Sequence, residues 1–306
     1  MSVGTDPLAE AARALVRLGP DGLSGPGMEE FAAEVGREHP SRDLYVKATA
    51  EALTACGIPE DVADEVYGNF VWTHFVCKLL MTADPGAVID HALAHIDLSE
   101  LTASVEGGGA AILSGFHYTG YPLMALAVAM SPIAPLISKA RVDVLEGAGG
   151  EKHSEHVVYM SDRSAAIRMT RALKKGRSVW VMLDVVLPSV RVTHAAFLGQ
   201  RMRVGAGLGA IARLSGRPCT PLFWRMTGPA VTLHAGDPIP IADDTDAETA
   251  EERLIQDFVD TQSGFITANP AHWLEWYAVL GESPRLRAEV KQGNDQVWAR
   301  LAKALD

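Results

Sequence analysis

The spacing of apolar residues changes near residue 110. Before that point they recur every three or four positions. After it, short continuous apolar runs alternate with helical stretches. In the first part, Leu8, Ala11, Ala12, Leu15 and Val16 share one face of a predicted helix over Pro7–Leu18. Gly19-Pro20-Asp21-Gly22 and Gly25-Pro26-Gly27 break the pattern. Two more helices are expected over 28–35 and 44–56. Another starts at Ile58-Pro59 and runs through the bulky stretch 70–81, where Trp72, Phe75, Val76, Leu79 and Leu80 form a helix-packing face. A helix over 85–96 follows. The first hundred residues therefore read as wholly helical.

Beyond residue 110 the pattern predicts strands alternating with helices. Residues 110–113 form a short buried strand, and a helix begins at Leu123. Residues 157–160 suggest a strand. Ser161 is placed to cap a helix over 162–174, and Gly176 to end it just past Lys174 and Lys175. The nearly continuous apolar run 178–183 suits a sheet covered on both faces, and it stops at Asp184. Residues 190–197 alternate like an edge strand or hairpin. A helix of small residues (205–215), two strands (219–224 and 230–235) and an amphipathic helix (245–266) complete the series. In that last helix Leu254, Ile255, Phe258 and Val259 face inward. Asn269-Pro270 breaks it, and a charged helical tail begins at 282. The expected fold class is α/β: a central, mostly parallel sheet flanked by helices, preceded by an N-terminal helical region. The expected division is a helical cap (1–105), an α/β core (106–281) and a tail (282–306).

Composition narrows the function. Of 306 residues, 48% are hydrophobic and 21% charged, enough for a sizeable core. The formal net charge of −11 argues against a broad nucleic-acid footprint. Cys56, Cys77 and Cys219 are too widely spaced for a disulfide framework or a zinc site, and fit a reducing compartment. Residues 1–7 lack the plan of a signal peptide. The longest apolar run, 121–137, is broken by Ser131, Pro132 and Pro135. The expectation is a cytoplasmic protein with no integral membrane segment. His153 and His156 have metal-like spacing but no evident third ligand, and are read as surface residues with no metal.

The chemistry centres on Ser114-Gly115-Phe116-His117-Tyr118-Thr119-Gly120-Tyr121-Pro122. His117 stands between a strand end and a helix start, where open α/β folds place their sites. A neutral imidazole there can act as a general base. The backbone N–H groups of Thr119, Gly120 and Tyr121 are candidates for stabilising an oxyanion. Asp184 ends another strand and would emerge on the same edge if both strands run the same way; the alternative is that it caps a turn before Pro188. Asp143, Glu146, Glu151 and Glu155 lie in a Gly-rich loop and read as solvated.

Several ordered pieces resemble the bacterial lipid A lauroyl/myristoyl acyltransferase family, within the lysophospholipid acyltransferase superfamily. They are Gly115-Phe116-His117 after an apolar strand, the block from Leu173-Lys174-Lys175-Gly176 to Asp184, and Phe197-Leu198-Gly199 before a Gly- and Ala-rich helix. The Gly-x-Pro-x-x-Pro segment from Gly216 to Pro221 and Asn269-Pro270-Ala271-His272-Trp273-Leu274-Glu275-Trp276 complete the set. Together they cover about residues 60–280. The resemblance implies direct acyl transfer from a thioester, either acyl-CoA or an acyl or aminoacyl carrier, with no prosthetic cofactor. Arg141 and Arg168 would meet a donor phosphate, since a guanidinium forks onto phosphate oxygens. Phe197 and Gly199, with the small residues at 205–209, would line an acyl channel. The chain departs from the family at Pro122, where the motif's Asp or Glu is expected, and in lacking an apolar N-terminal anchor. The second departure points to a small-molecule acceptor in a specialised biosynthetic pathway. The first leaves two branches: Asp184 replaces the acid and a hydroxyl acceptor is feasible, or no acid does and the acceptor is a nitrogen nucleophile. A catalytically lapsed binding protein and a peripheral membrane enzyme acting on a glycolipid are the alternatives.

Overall fold

The computed structural model describes residues 6–131, 136–139, 157–159, 164–186, 191–227, 230–242, 246–281 and 284–305. Helices α1 (Pro7–Leu18), α2 (Pro26–Glu38), α3 (Arg42–Ala55), α4 (Ala63–Val71), α5 (Cys77–Ala83), α6 (Pro85–His95) and α7 (Ser99–Gly108) build the N-terminal region. Local chemistry fixes several ends. Asp6 caps α1 by accepting from the N–H groups of Leu8 and Ala9, and Asp84 caps α6 by accepting from Ala87 N at 3.0 Å. Pro85 opens α6, where its missing N–H costs nothing. Between α4 and α5 the ladder widens into a π-helical segment, Trp72–Val76.

The region is not wholly helical. Ile96–Asp97 form β1, which pairs parallel with β9 (Ala230–Ala235) at the edge of the main sheet. Two residues are too few for an apolar run or an alternation to announce a strand. The other strands are β2 (Ile112–Gly115), β3 (Leu136–Lys139), β4 (Val157–Tyr159), β5 (Val179–Met182), β6 (Val192–Phe197), β7 (Gln200–Gly205) and β8 (Cys219–Thr227). Among the described residues the main sheet has seven strands, in the order β1-β9-β8-β2-β5-β3-β4. All pairs are parallel except β8–β9. The central strand β2 is buried along its whole length, as a strand with parallel neighbours on both sides should be.

Helices α8 (Tyr121–Met130), α9 (Ala165–Lys174), α10 (Gly207–Ser215) and α11 (Ala247–Ala268) connect and flank the strands. Gly176, at φ +82°, follows the end of α9 in the left-handed conformation expected there. Strands β6 and β7 form a separate antiparallel hairpin. The side chain of Gln256 on α11 holds it, accepting from Ala196 N at 2.8 Å and donating to Ala196 O at 3.0 Å. The C-terminal helix α12 (Pro284–Leu305) returns to the N-terminal helices. Ser41 Oγ donates to Glu289 O at 2.8 Å, and Arg300 pairs with Asp6 and Glu38. One continuous apolar core runs from Leu8 on α1 to Leu301 on α12. Among the described residues, no helix is long and apolar enough to cross a membrane.

Candidate active site

The β2–β5 ladder builds the site. Each paired residue differs from its partner by 67 positions, from Ile112 with Val179 to Gly115 with Met182. Two residues beyond the last pair, the same offset joins His117 to Asp184. Because the strands are parallel, both residues emerge at the carboxyl edge of the sheet. Asp184 Oδ1 lies 2.7 Å from His117 Nδ1, and Oδ2 accepts from the backbone N–H of His117 at 2.6 Å. Trp273 Nε1 donates to the same Oδ2 at 2.9 Å. Three donors thus converge on a carboxylate whose side chain is fully buried. The imidazole keeps 19% of its surface exposed, so the pair can be approached through His117 and not through Asp184.

With an acceptor carboxylate at Nδ1, that nitrogen carries the proton. Nε2 is then left with the lone pair a base needs. Burial disfavours the imidazolium, but the charge and hydrogen bond of Asp184, with a further contribution from Glu275, outweigh it. The His117 pKa is raised as a result. The Tyr121 ring stands edge-on to the imidazole, with centroids 4.9 Å apart, and limits its rotation.

A second chain segment wraps the turn after β2. His272 O accepts from Thr119 N at 2.8 Å and from Thr119 Oγ1 at 3.2 Å. Leu274 N donates to His117 O at 3.1 Å, and Tyr118 bridges Trp273. Trp224 Nε1 donates to Thr119 O at 3.1 Å. These contacts alter the reading of the three backbone amides. Thr119 N is bound to His272 O, Gly120 N donates to Thr73 Oγ1 at 3.2 Å, and Tyr121 N donates to Tyr118 O at 3.1 Å. Each amide is therefore engaged inside the protein and none is presented to an oxyanion. They stiffen the turn that carries His117.

The remaining expected residues separate. Phe197 is fully buried and packs on Trp273 and Trp276, with centroids 5.0 and 6.0 Å away. It supports the tryptophan that holds Asp184. Gly199 is exposed in the two-residue loop of the β6–β7 hairpin, where Leu198 at φ +47° and Gly199 at φ +79° make the tight turn such loops favour. Its glycine is explained by the turn and does not require an acyl chain. Gly209 faces α11, where an added Cβ would lie 2.7 Å from Glu251 Cβ, so close helix packing accounts for it. Arg168 lies exposed on α9. Arg141, Asp143, Glu146, Glu151, His153, Glu155, His156, Ser161 and Pro188 lie outside the described residues.

Surface clefts of about 540 Å³ and 470 Å³ occur on the helical region and beside the hairpin, and neither is lined by His117 or Asp184. Among the described residues, no three His, Cys, Asp or Glu side chains are grouped to hold a metal ion. The sequence marked Trp273 only as part of the 269–276 segment and not as the partner of Asp184. Nor did it mark out Glu275, a buried carboxylate next to Leu274. The one signal for both was their place in the 269–276 segment. No model of a known protein family matches the chain, and no curated protein matches it.

Proposed function

We propose that the protein transfers an acyl group from a thioester donor, acyl-CoA or an acyl or aminoacyl carrier, to a small-molecule acceptor. His117 is the base and Asp184 its carboxylate partner. The observation that carries this reading is the Asp184–Nδ1 contact at the carboxyl edge of two adjacent parallel strands. It supplies from β5 the acid that Pro122 does not.

His117 Nε2 takes the proton from the acceptor's hydroxyl or amine as that atom bonds to the thioester carbonyl carbon. Asp184 keeps the Nδ1 proton in place and offsets the positive charge gained by the ring. Collapse of the tetrahedral intermediate breaks the C–S bond. The departing thiolate then recovers the proton from His117, leaving a free thiol and the new ester or amide. No side chain becomes acylated. The complete pair favours the branch in which a hydroxyl is acylated, because a hydroxyl has a high pKa and gains most from a supported base. An amine, already nucleophilic, gains less.

The test is to incubate the protein with acyl-CoA and acyl-carrier panels and paired alcohol and amine acceptors, reading products by mass spectrometry. Wild-type protein is expected to consume a thioester above buffer, and His117→Ala to be slower by roughly 10²–10⁴-fold with its fold intact. Equal turnover by a folded His117→Ala variant would remove His117 from the reaction. No turnover with any donor would remove acyl transfer.

A further inference from the structure

A second buried carboxylate, Glu275, stands in the chain segment that wraps His117, and the mechanism above does not use it. Glu275 is 8% exposed, and its Oε2 is buried without a hydrogen-bond donor. It directly follows Leu274, whose N–H binds His117 O, and comes two residues after Trp273, which binds Asp184. The segment 273–275 therefore fixes both members of the pair and delivers a third ionisable group to them. Arg287, from the first turn of α12, places Nη2 3.7 Å from Glu275 Oε2 and Nη1 3.5 Å from Val186 O. Val186 stands two residues after Asp184, so one guanidinium spans the two chain segments that hold the site.

We propose that Glu275 is a positioning residue for the His117–Asp184 pair: a buried second carboxylate, carried by the segment that binds both members and paired with Arg287 from the C-terminal helix. Its consequence for rate rests on the acyl-transfer reading; its consequence for the titration of His117 does not.

The surroundings of His117 leave few other sources of charge. From the π-helical segment comes His74, whose pKa burial pushes down to about 3, so it is neutral near pH 7. From α8 comes Tyr121, whose hydroxyl burial keeps protonated. Among the described residues, Asp184, Glu275 and Arg287 are the groups whose charges act on His117. Glu275 acts to raise its pKa, and Arg287 to lower it. Burial pushes the Glu275 carboxyl itself upward and Asp184 adds to this, while His117 and Arg287 oppose it. Arg287, 3.7 Å from Glu275 Oε2, is the cation paired with this carboxylate, and a hydrogen bond from the Tyr277 hydroxyl also favours its ionised form.

The two partners therefore have opposite signs at His117, which a merely structural role would not produce. The experiment follows His117 by NMR through a pH titration of the full chain with isotope-labelled histidine, the resonance being assigned by its loss in His117→Ala. Glu275→Gln keeps the shape and removes the charge, and should lower the midpoint. Arg287→Gln should raise it, and the double variant should fall between the two. In turnover, Glu275→Gln should lower kcat roughly tenfold with KM unchanged, as expected of an outer partner of a working imidazole. A Glu275→Gln midpoint equal to wild type, or both single variants moving in one direction, would overturn the proposal. If Glu275→Gln does not fold, Arg287→Gln decides alone, since an unchanged or lowered midpoint contradicts it. If the midpoints move as stated but no thioester is consumed by wild type, Glu275 keeps this role and acyl transfer fails.

Discussion

Two turns in this molecule use the same backbone device for different ends. Gly120, after β2, sits at φ +78°, and Gly199, between β6 and β7, at φ +79°. Around Gly120 the space is full: a Cβ there would lie 2.7 Å from Met226 Sδ. Around Gly199 nothing lies within 4 Å of where a Cβ would be. A left-handed glycine by itself marks only a reversal of the chain. The first turn becomes a candidate active site because the β5 end and the segment 272–275 direct hydrogen bonds into it from 67 to more than 150 residues away. At the hairpin the distant hydrogen bonds fall on the flanking strands, from Gln256 to Ala196 and from Gln200 Nε2 to Ala55 O at 2.8 Å, and the glycine of the loop is accounted for by the turn.

Substitutions can widen or erase this contrast. The largest effect is expected from Asp184→Asn, which keeps the size of the side chain but removes the charge and disturbs the Nδ1 tautomer. Turnover should fall by roughly 10²–10⁴-fold, as when an aspartate is removed from a His-based catalytic unit, read as kcat with folding checked by circular dichroism. The same variant should move the pH profile. The raised pKa of His117 means that wild-type kcat/KM falls as the pH drops through a midpoint above the ordinary imidazole value, because the protonated ring is no base. Without the Asp184 charge that midpoint should move down. A profile unchanged by Asp184→Asn would mean that another group titrates.

Trp273 offers a smaller perturbation. Trp273→Ala would empty a fully buried site at about 3–5 kcal/mol and confuse folding with function. Trp273→Phe keeps most of the packing and removes the indole donor to Asp184 Oδ2, leaving the backbone N–H of His117 on the same oxygen. A fall in kcat of about tenfold is expected, with KM little changed. The two glycines complete the series through stability. Gly120→Ala combines left-handed strain with the clash at Met226 and should cost about 2–4 kcal/mol in chemical denaturation. Gly199→Ala meets strain alone and should cost about 1 kcal/mol, with no effect on turnover.

These differences explain what the sequence could announce. Strands β2 and β5 were legible because both are short apolar runs that end abruptly, and Asp184 was legible because a buried run stopped at a charge. Given parallel strands, the shared edge of His117 and Asp184 followed. β7 was not legible: Gln200, Arg201 and Arg203 give it a polar, half-exposed pattern, and its partner is the hairpin strand alone. The backbone amides of Thr119 and Gly120 looked free because their acceptors, His272 O and Thr73 Oγ1, lie far away in sequence, whereas that of Tyr121 closes a local turn onto Tyr118 O. For Trp273, apolar spacing marks burial but carries no information about where an indole N–H points. Glu275 was hidden for a related reason, since its cation stands on a helix that reads as a charged tail.

The central claim is that His117 and Asp184 act as one unit, brought together by the β2–β5 register. A double-mutant cycle on turnover tests it most directly, using His117→Ala, Asp184→Asn and the two combined. Residues of one catalytic unit are non-additive, because removing the second adds little once the first is gone. The expected result is that the double variant is no slower than His117→Ala alone. If the two losses instead multiply, Asp184 acts independently of the imidazole, and the account of the site is wrong.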